Sequence, residues 1–260
     1  MTAPQIPDLD HLRRAYALTR QATQVTPLLE SAFLAKESGA ARVFVKPESL
    51  QWAGSFKVRG AYWRLTRLAP DEARRGVVAY SSGNFAQGLS AAGQALGIPV
   101  TIVMPVDAPA AKRDATTGYG ARVVLSEHGA RPREEVAAER AAAIAAEENL
   151  VLLHPFDDPE IVAGQAGAGL EALEQLGDRN ASADMVLCPV GGGGLIGGVA
   201  LAFRHLSPDT KLFAVEPQGF DGMGRSLAEG AIEPRPAGAA TICDGLMARA
   251  PGSLKTTRAP

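Results

Sequence analysis

The chain has 260 residues, of which 46% are hydrophobic and 21% are charged, and its formal net charge is -2. This composition excludes a disordered or fibrous protein, and the lack of a lysine- or arginine-rich block argues against nucleic acid or an anionic membrane as the main partner. The two cysteines, Cys188 and Cys243, lie far apart without metal-ligand spacing, and no apolar run follows Met1. We therefore predict a soluble cytoplasmic protein without a membrane span.

The first part of the chain predicts helices joined by short extended segments. An amphipathic pattern over residues 9–23 predicts a helix that Asp8 or Asp10 caps. The other predicted elements of this part are extended segments at 25–29 and 42–46 and helices at 33–36 and 58–68.

From residue 76 onward, strands and helices alternate, and beyond Pro217 this pattern weakens. Short strands separated by helices predict an α/β protein whose parallel sheet is covered on both faces. The strands are predicted at 77–80, 100–104, 122–125, 150–153, 185–190 (a buried strand) and 212–216, and the helices at 86–96, 110–119, 134–149, 164–176 and 195–205.

The stretch from Gly54 to Gly60 places Lys57 just after a turn, at the start of a predicted helix. In a dry pocket the ammonium form is penalised, so the pKa falls and the amine becomes a usable nucleophile. A solvated lysine beside a surface turn is the alternative interpretation. Only a second group for the amine to react with would distinguish the two.

A run of glycines, Gly191 to Gly194, lies between a predicted strand and a predicted helix. Consecutive N–H groups without side chains can wrap a phosphate at a helix N-terminus, and four glycines are costly for a plain turn. Gly192, Gly194 and Gly197 also satisfy G-x-G-x-x-G, with Glu216 at the end of the next strand. This window alone therefore also fits an NAD(P)-dependent oxidoreductase.

A polar loop, Ser81-Ser82-Gly83-Asn84, follows a strand and opens a helix, at the edge where open parallel sheets bind ligands. An ordinary helix N-cap is the alternative interpretation. Beside Lys57 and the glycine run, the loop has the groups to hold an organic ring and a carboxylate. A phosphate cradle, an imine-forming lysine and an amide donor together suggest pyridoxal phosphate.

These motifs resemble those of the fold-type II pyridoxal-phosphate enzymes, in particular the threonine/serine dehydratase and serine racemase group. The resemblance implies two open, mainly parallel twisted sheets flanked by helices, as in the tryptophan synthase β fold, and a homodimer. It implies a large phosphate-binding domain from residues 1–50 and 149–260 and a small domain from residues 51–148. The motifs that carry it are Lys46-Pro47-Glu48, Gln51, Gly54 to Ala61, Ser81 to Asn84, Gly164-Gln165, Gly191 to Gly194 and Val215-Glu216-Pro217.

The resemblance also implies which residues hold the cofactor. Lys57 would form the imine with pyridoxal phosphate, and Phe56 would pack near the ring. Asn84 would bond the ring hydroxyl, and Gly191 to Gly194 with Leu195 would hold the phosphate.

On the substrate side, the resemblance implies that Lys57 acts as the base at the α carbon and that Ser82 lies on the opposite ring face. Ser81, Gly83 and Asn84 would join Ser82 in binding the carboxylate of an amino-acid substrate. The implied reaction is β-elimination of water from a β-hydroxy amino acid, which gives a 2-oxo acid and ammonia. A serine racemase, with Lys57 and Ser82 as acid and base on opposite faces, uses the same residues and stays open as an alternative.

Among the departures from the family pattern, one concerns a metal site and another the end of the chain. Several members bind a divalent cation through the Glu-Pro glutamate and a nearby aspartate; Glu216 remains here, but Gly222 stands at the aspartate position, beside Asp221. A lone carboxylate with main-chain oxygens would hold Mg or Ca weakly. Family members also continue past the Asp-Gly-Leu segment, whereas this chain stops at Pro260. We therefore expect lower stability and weak activity, with a truncated non-catalytic binding relative as a further alternative.

Overall fold

The residues at the two ends of the first helix, α1, determine where it begins and ends. It spans Leu9–Thr19 in the computed structural model, which describes residues 6–234 and 240–253. Asp8, one of the two predicted caps, accepts a hydrogen bond from the N–H of His11. The helix ends earlier than predicted because its last turn tightens, with the N–H of Ala22 donating to the carbonyl three residues back.

Most of the predicted elements are present, within a few residues of their predicted bounds. The strands are β1 (Leu29–Glu30), β2 (Phe44–Val45), β3 (Val77–Tyr80), β4 (Val100–Pro105), β5 (Arg122–Ser126), β6 (Val151–Leu153), β7 (Met185–Pro189) and β8 (Lys211–Val215). The further helices are α2 (Ala32–Ser38), α3 (Lys57–Thr66), α4 (Pro70–Arg75), α5 (Asn84–Leu96), α6 (Ala110–Gly118), α7 (Arg133–Glu148), α8 (Pro159–Gly177), α9 (Gly194–Leu206) and α10 (Gly222–Glu229).

A four-stranded parallel sheet in the order β5-β4-β3-β6 confirms the predicted α/β architecture. Successive side chains of a strand point to opposite faces. Val77 and Ala79 accordingly pack in one core with residues of α3 and α5, whereas Val78 and Val103 pack against Ile144 and its neighbours on α7. Helices therefore cover both faces of the sheet.

The sheet extends past the boundary that was predicted between residues 148 and 149. β6 pairs with β3 in a register that joins Val77 to Val151 and Ala79 to Leu153. The division into a small and a large domain stays a prediction, but strand pairing links residues on the two sides of that boundary.

β7 and β8 form a separate parallel pair, in which Leu187 lies opposite Phe213. The prediction of a buried strand at 185–190 is wrong for one of its faces. Cys188 is buried, but Leu187 is 64% exposed and Phe213 is 44% exposed. Side chains alternate along the strand, and no described element covers this face. β1 and β2 form a third, antiparallel pair.

Side-chain caps account for two further differences from the predicted helices. α8 begins at Pro159, earlier than predicted, because the Asp158 carboxylate accepts hydrogen bonds from two N–H groups of its first turn. α10 lies where the pattern weakens, and its first N–H groups donate to Glu216. Among the described residues, no helix combines the length and the apolar character needed to cross a membrane.

A buried group of charges joins the segment before Lys57 to α3 and α8. The guanidinium of Arg59 is fully buried and donates to Glu48 at 2.8 and 2.9 Å and to Glu171 at 3.0 and 3.2 Å. The amine of Lys46 donates to Glu171 at 2.6 Å and to the carbonyl of Thr26 at 2.7 Å. Two cations and two carboxylates thus balance within one cluster, which we call the Arg59 cluster.

We expect Arg59→Leu to lower the free energy of unfolding by about 3–5 kcal/mol, because it leaves two carboxylates buried without their shared partner. Arg131 also contacts two carboxylates, Glu135 and Glu139, but its side chain is half exposed. Arg131→Leu is therefore the matched control, for which we expect a much smaller loss, because solvent screens exposed ion pairs. Urea denaturation measures both values, and equal losses would contradict the assigned importance of burial.

Candidate active site

Lys57 is the first residue of α3, and its amine lies among aromatic side chains. The amine donates a hydrogen bond to the carbonyl oxygen of Pro155 at 2.9 Å. The ring centroids of Phe56, Phe85 and Phe156 lie 5.4, 5.6 and 5.9 Å from the amine nitrogen. Aromatic faces attract a cation, but they do not replace the hydration that a free ammonium group has in water.

This apolar environment changes the acid–base behaviour of Lys57. Burial lowers the pKa of Lys57 from its ordinary value of 10.5 to about 8. Among the ion pairs of residues 6–234 and 240–253, none includes Lys57. A substantial fraction of this amine is therefore neutral near physiological pH and can act as a nucleophile or a base.

The glycine run lies between β7 and α9, at the carboxyl end of a strand and the N-terminus of a helix. A Cβ on Gly192 would lie 2.4 Å from the ring of Phe156, and one on Gly191 would lie 3.1 Å from the carbonyl oxygen of Gly245. Gly193 has φ 91, a conformation that favours glycine. The run is thus closely packed and has no side chains to shield its N–H groups at the helix start, which suits a phosphate.

The predicted loop Ser81–Asn84 joins β3 to α5, with Asn84 as the first helical residue. The hydroxyl oxygen of Ser82 accepts a hydrogen bond from the guanidinium of Arg133 at 3.1 Å. Arg133 also donates to the carboxylate of Asp107 at 3.0 Å, which holds it in place beside the loop. Asn84 is exposed, so its amide is accessible to a ligand.

The structure brings the three sequence motifs together. Gly88, one turn after Asn84 on α5, packs against the start of α3, since a Cβ there would lie 3.2 Å from the Cβ of Lys57. Phe156 contacts the other two motifs, because its ring lies near the Lys57 amine and against Gly192. The lysine, the polar loop and the glycine run therefore border one site, with Leu195 in the first turn of the helix after the run.

A single turn of 3-10 helix, Asp244–Leu246, closes another side of the site. Asp244 forms an ion pair with Lys112, and this contact lowers the pKa of the Asp244 carboxyl. A Cβ on Gly83 would lie 3.9 Å from the amine of Lys112, and one on Gly245 would lie 4.0 Å from the amide nitrogen of Asn84. This turn thus lies next to both the polar loop and the glycine run.

Sequence analysis missed the turn His154–Asp157, which supplies Pro155 and Phe156. This turn follows β6, whose carboxyl end lies at the same edge of the sheet as that of β3, where the Ser81–Asn84 loop begins. Ligands bind at that edge in open parallel sheets, so its position after a predicted strand was the available signal.

The predicted metal residue, Glu216, has other partners. Its two carboxylate oxygens accept hydrogen bonds from the N–H groups of Met223 and Gly224, both at 2.9 Å. Within the described ranges, no group of three or more His, Cys, Asp or Glu residues is placed to hold a metal ion. The expected Mg or Ca site at Glu216 therefore gains no support from the described residues.

Comparison with known proteins gives consistent results. The family described as "Pyridoxal-phosphate dependent enzyme" matches residues 19–259. The chain is 39% identical over 246 residues to an L-threonine ammonia-lyase from Thermotoga maritima and 40% identical over 207 residues to an L-threo-3-hydroxyaspartate ammonia-lyase from Saccharomyces cerevisiae. The structure of maize serine racemase matches with a TM-score of 0.89 and 34% identity, covering 97% of this chain and 73% of that one.

These alignments cover the chain more fully than they cover its relatives. They include 95% and 80% of this chain, but only 59% of the Thermotoga protein and 61% of the yeast protein. The chain thus spans about three fifths of the length of these curated relatives.

We expect the reactivity of Lys57 toward an amine reagent to rise with pH and to level off above about pH 8, because only the neutral amine reacts and its pKa is about 8. Brief pulses of acetic anhydride across a pH series, followed by mass spectrometry of the Lys57 peptide, measure this midpoint. The exposed Lys36 provides the internal reference for reagent decay. Labelling of Lys57 that still increases about tenfold per pH unit above pH 9 would contradict the lowered pKa.

Proposed function

The chain belongs to the pyridoxal-phosphate dependent enzyme family, and from this premise we propose that it deaminates a β-hydroxy amino acid of the threonine or serine type by β-elimination. The observation that carries the proposal is the Lys57 amine, with its lowered pKa, beside a packed glycine run at a helix N-terminus. The names of the curated relatives, both ammonia-lyases, support this reaction class.

Family membership implies pyridoxal phosphate as the cofactor, and the residues fit this group. Lys57 would bond to the aldehyde carbon, and Gly191 to Gly194 with Leu195 would hold the phosphate through backbone N–H groups. Phe56 would pack near the ring and Asn84 would bond its hydroxyl. When bound, this cofactor withdraws electrons from the α carbon of an amino acid, which makes the proton on that carbon acidic.

In the proposed reaction, Lys57 would be released when the amino group of the substrate replaces it at the aldehyde carbon, and its free nitrogen would then accept the proton from the α carbon of the substrate. The low pKa of Lys57 keeps its amine partly neutral, as a general base requires. The three phenylalanine rings limit access of water to this nitrogen. The β hydroxyl leaves with a proton as water, and one water is consumed when the released enamine hydrolyses to the 2-oxo acid and ammonia.

Ser81, Ser82, Gly83 and Asn84 form the proposed binding loop for the substrate carboxylate. The loop opens α5, and N–H groups at this helix start would bind the anion, but those of Ser81 and Gly83 already donate to the carbonyl of Val103 and to the hydroxyl of Ser81. We extend the proposal to a homodimer, which only the family resemblance implies, and to the cytoplasm, which the composition predicts. Both of these points stay predictions.

A serine racemase is the second candidate, and the hydrogen bond from Arg133 to Ser82 favours it. A guanidinium within hydrogen-bond distance stabilises the negative charge that develops on a serine oxygen when its proton leaves. Ser82 would then exchange a proton at the α carbon on the face opposite to Lys57. The similarity to a racemase structure agrees with this alternative.

The oxidoreductase alternative, based on Gly192, Gly194 and Gly197, has lost its main support. The carboxylate of Glu216 accepts hydrogen bonds from N–H groups of α10 instead of being free for a ribose, and the family model that matches residues 19–259 describes pyridoxal-phosphate dependent enzymes. A non-catalytic binding relative remains as an outcome of the experiment that follows.

We expect the protein reconstituted with pyridoxal phosphate to absorb visible light, to lose this absorbance on borohydride reduction and to release ammonia from L-threonine or L-serine. Lys57→Ala should abolish the absorbance and lower deamination by about 10²–10⁴-fold or more, because it removes both the attachment point and the base. Lys36→Ala, on the exposed face of α2, is the control. Absorbance with neither deamination nor racemisation would identify a non-catalytic relative, and no absorbance at all would refute the proposal.

We expect Ser82→Ala to separate the two candidate reactions. Racemisation of L-serine should fall by about 10²-fold or more if Ser82 exchanges the proton on the second face, whereas deamination through Lys57 should remain measurable. Chiral chromatography and 2-oxo acid release measure the two products in one sample, with Ser38→Ala on α2 as the control. If neither the wild type nor Ser82→Ala forms D-serine while both release 2-oxo acid, the protein is a lyase and not a racemase.

A further inference from the structure

The imidazole of His154 organises the turn His154–Asp157. Its Nδ1 accepts hydrogen bonds from the N–H of Asp157 at 2.9 Å and from the N–H of Phe156 at 3.3 Å. A ring nitrogen that accepts is unprotonated, so the imidazole serves here as an acceptor for the backbone. The ring also packs edge-to-face on Phe156, with centroids 4.6 Å apart. The backbone of the turn is thereby tied to the end of β6.

The same turn contacts two distant parts of the candidate site. The carbonyl oxygen of Pro155 accepts the hydrogen bond from the Lys57 amine at 2.9 Å. The next residue, Phe156, lies so close to Gly192 that a Cβ there would be 2.4 Å from the ring. One short turn therefore lies between the amine and the glycine run, which are more than a hundred residues apart in the chain.

We propose that His154 is a positioning residue, whose Nδ1 holds this turn so that the Lys57 amine and the glycine run keep a fixed separation. The inference rests on the proposed function, because the separation matters only for a ligand that bonds to Lys57 at one end and is held by its phosphate at the other. When one end of the ligand is bound, its other end has a high effective concentration at the second site only if the distance between the two sites fits the length of the ligand. His154 thus acts through the geometry of the two sites and does not touch the reacting atoms.

Three substitutions separate this role from a general contribution to folding. In His154→Asn, the amide oxygen is bonded to Cγ as Nδ1 is in histidine, so it can accept the same two hydrogen bonds. His154→Gln places its acceptor one carbon farther out, and His154→Leu has no acceptor. His205→Leu, at an exposed position of α9, is the control histidine.

The test compares the attachment of two aldehydes to the protein, pyridoxal phosphate and pyridoxal, which lacks the phosphate. As the bond from Nζ of Lys57 to the aldehyde carbon forms, the aldehyde oxygen leaves as water. Borohydride then delivers hydride to that carbon, and mass spectrometry of the Lys57 peptide measures the trapped product. The readout is the preference for pyridoxal phosphate over pyridoxal, together with the melting temperature of each variant.

We expect wild type, His154→Asn and His205→Leu to share the same preference for pyridoxal phosphate. In His154→Gln and His154→Leu, this preference should fall at least about tenfold, because an error of about 1 Å in the separation of the two sites is enough for a loss of this size. Labelling by pyridoxal should not change in these two variants. If His154→Leu does not fold, the comparison of Asn with Gln carries the test.

An unchanged preference in His154→Gln and His154→Leu would overturn the inference, and so would an equal fall in labelling by both aldehydes. Failure of wild type to form any product with pyridoxal phosphate at Lys57 would instead refute the proposed function, and the inference with it. Loss of deamination alone decides neither point, so it is not the readout.

Discussion

A guanidinium buried between two carboxylates holds the part of the chain that presents Lys57. Arg59 follows two residues later on α3, and its partners Glu48 and Glu171 come from the preceding loop and from α8. An uncompensated charge in this position would cost several kcal/mol, so these contacts favour the packing of the three segments against one another. The backbone at Lys57 is therefore fixed by charges that take no part in the proposed chemistry.

Lys57 and Arg59 are close in sequence, but one side chain lies among apolar groups and the other among carboxylates. Residues two apart on a helix point to different sides, so α3 directs Lys57 toward phenylalanine rings and Arg59 toward carboxylates. Burial among apolar groups lowers the pKa of Lys57, whereas hydrogen bonds to Glu48 and Glu171 keep the guanidinium charged despite its burial. One helix thus provides both a reactive amine and its structural support.

The candidate site is assembled from segments that follow strands. The polar loop follows β3, the turn His154–Asp157 follows β6, and the glycine run follows β7. In a parallel sheet the carboxyl ends of the strands lie at one edge, which places the segments after β3 and β6 close together, whereas β7 belongs to a separate sheet. Phe156 links two of these segments, because it lies near the Lys57 amine and packs against Gly192.

The sequence by itself determined the α/β alternation, the cap of α1 and the three motifs of the site, because periodicity, capping and glycine content act over a few residues. The tertiary structure alone decided that Lys57 is desolvated, that Glu216 is bonded to α10 and that Leu187 on β7 is exposed. It also introduced Phe156, which no motif had indicated. These features depend on which distant segments pack together, and a local pattern carries no information on that packing.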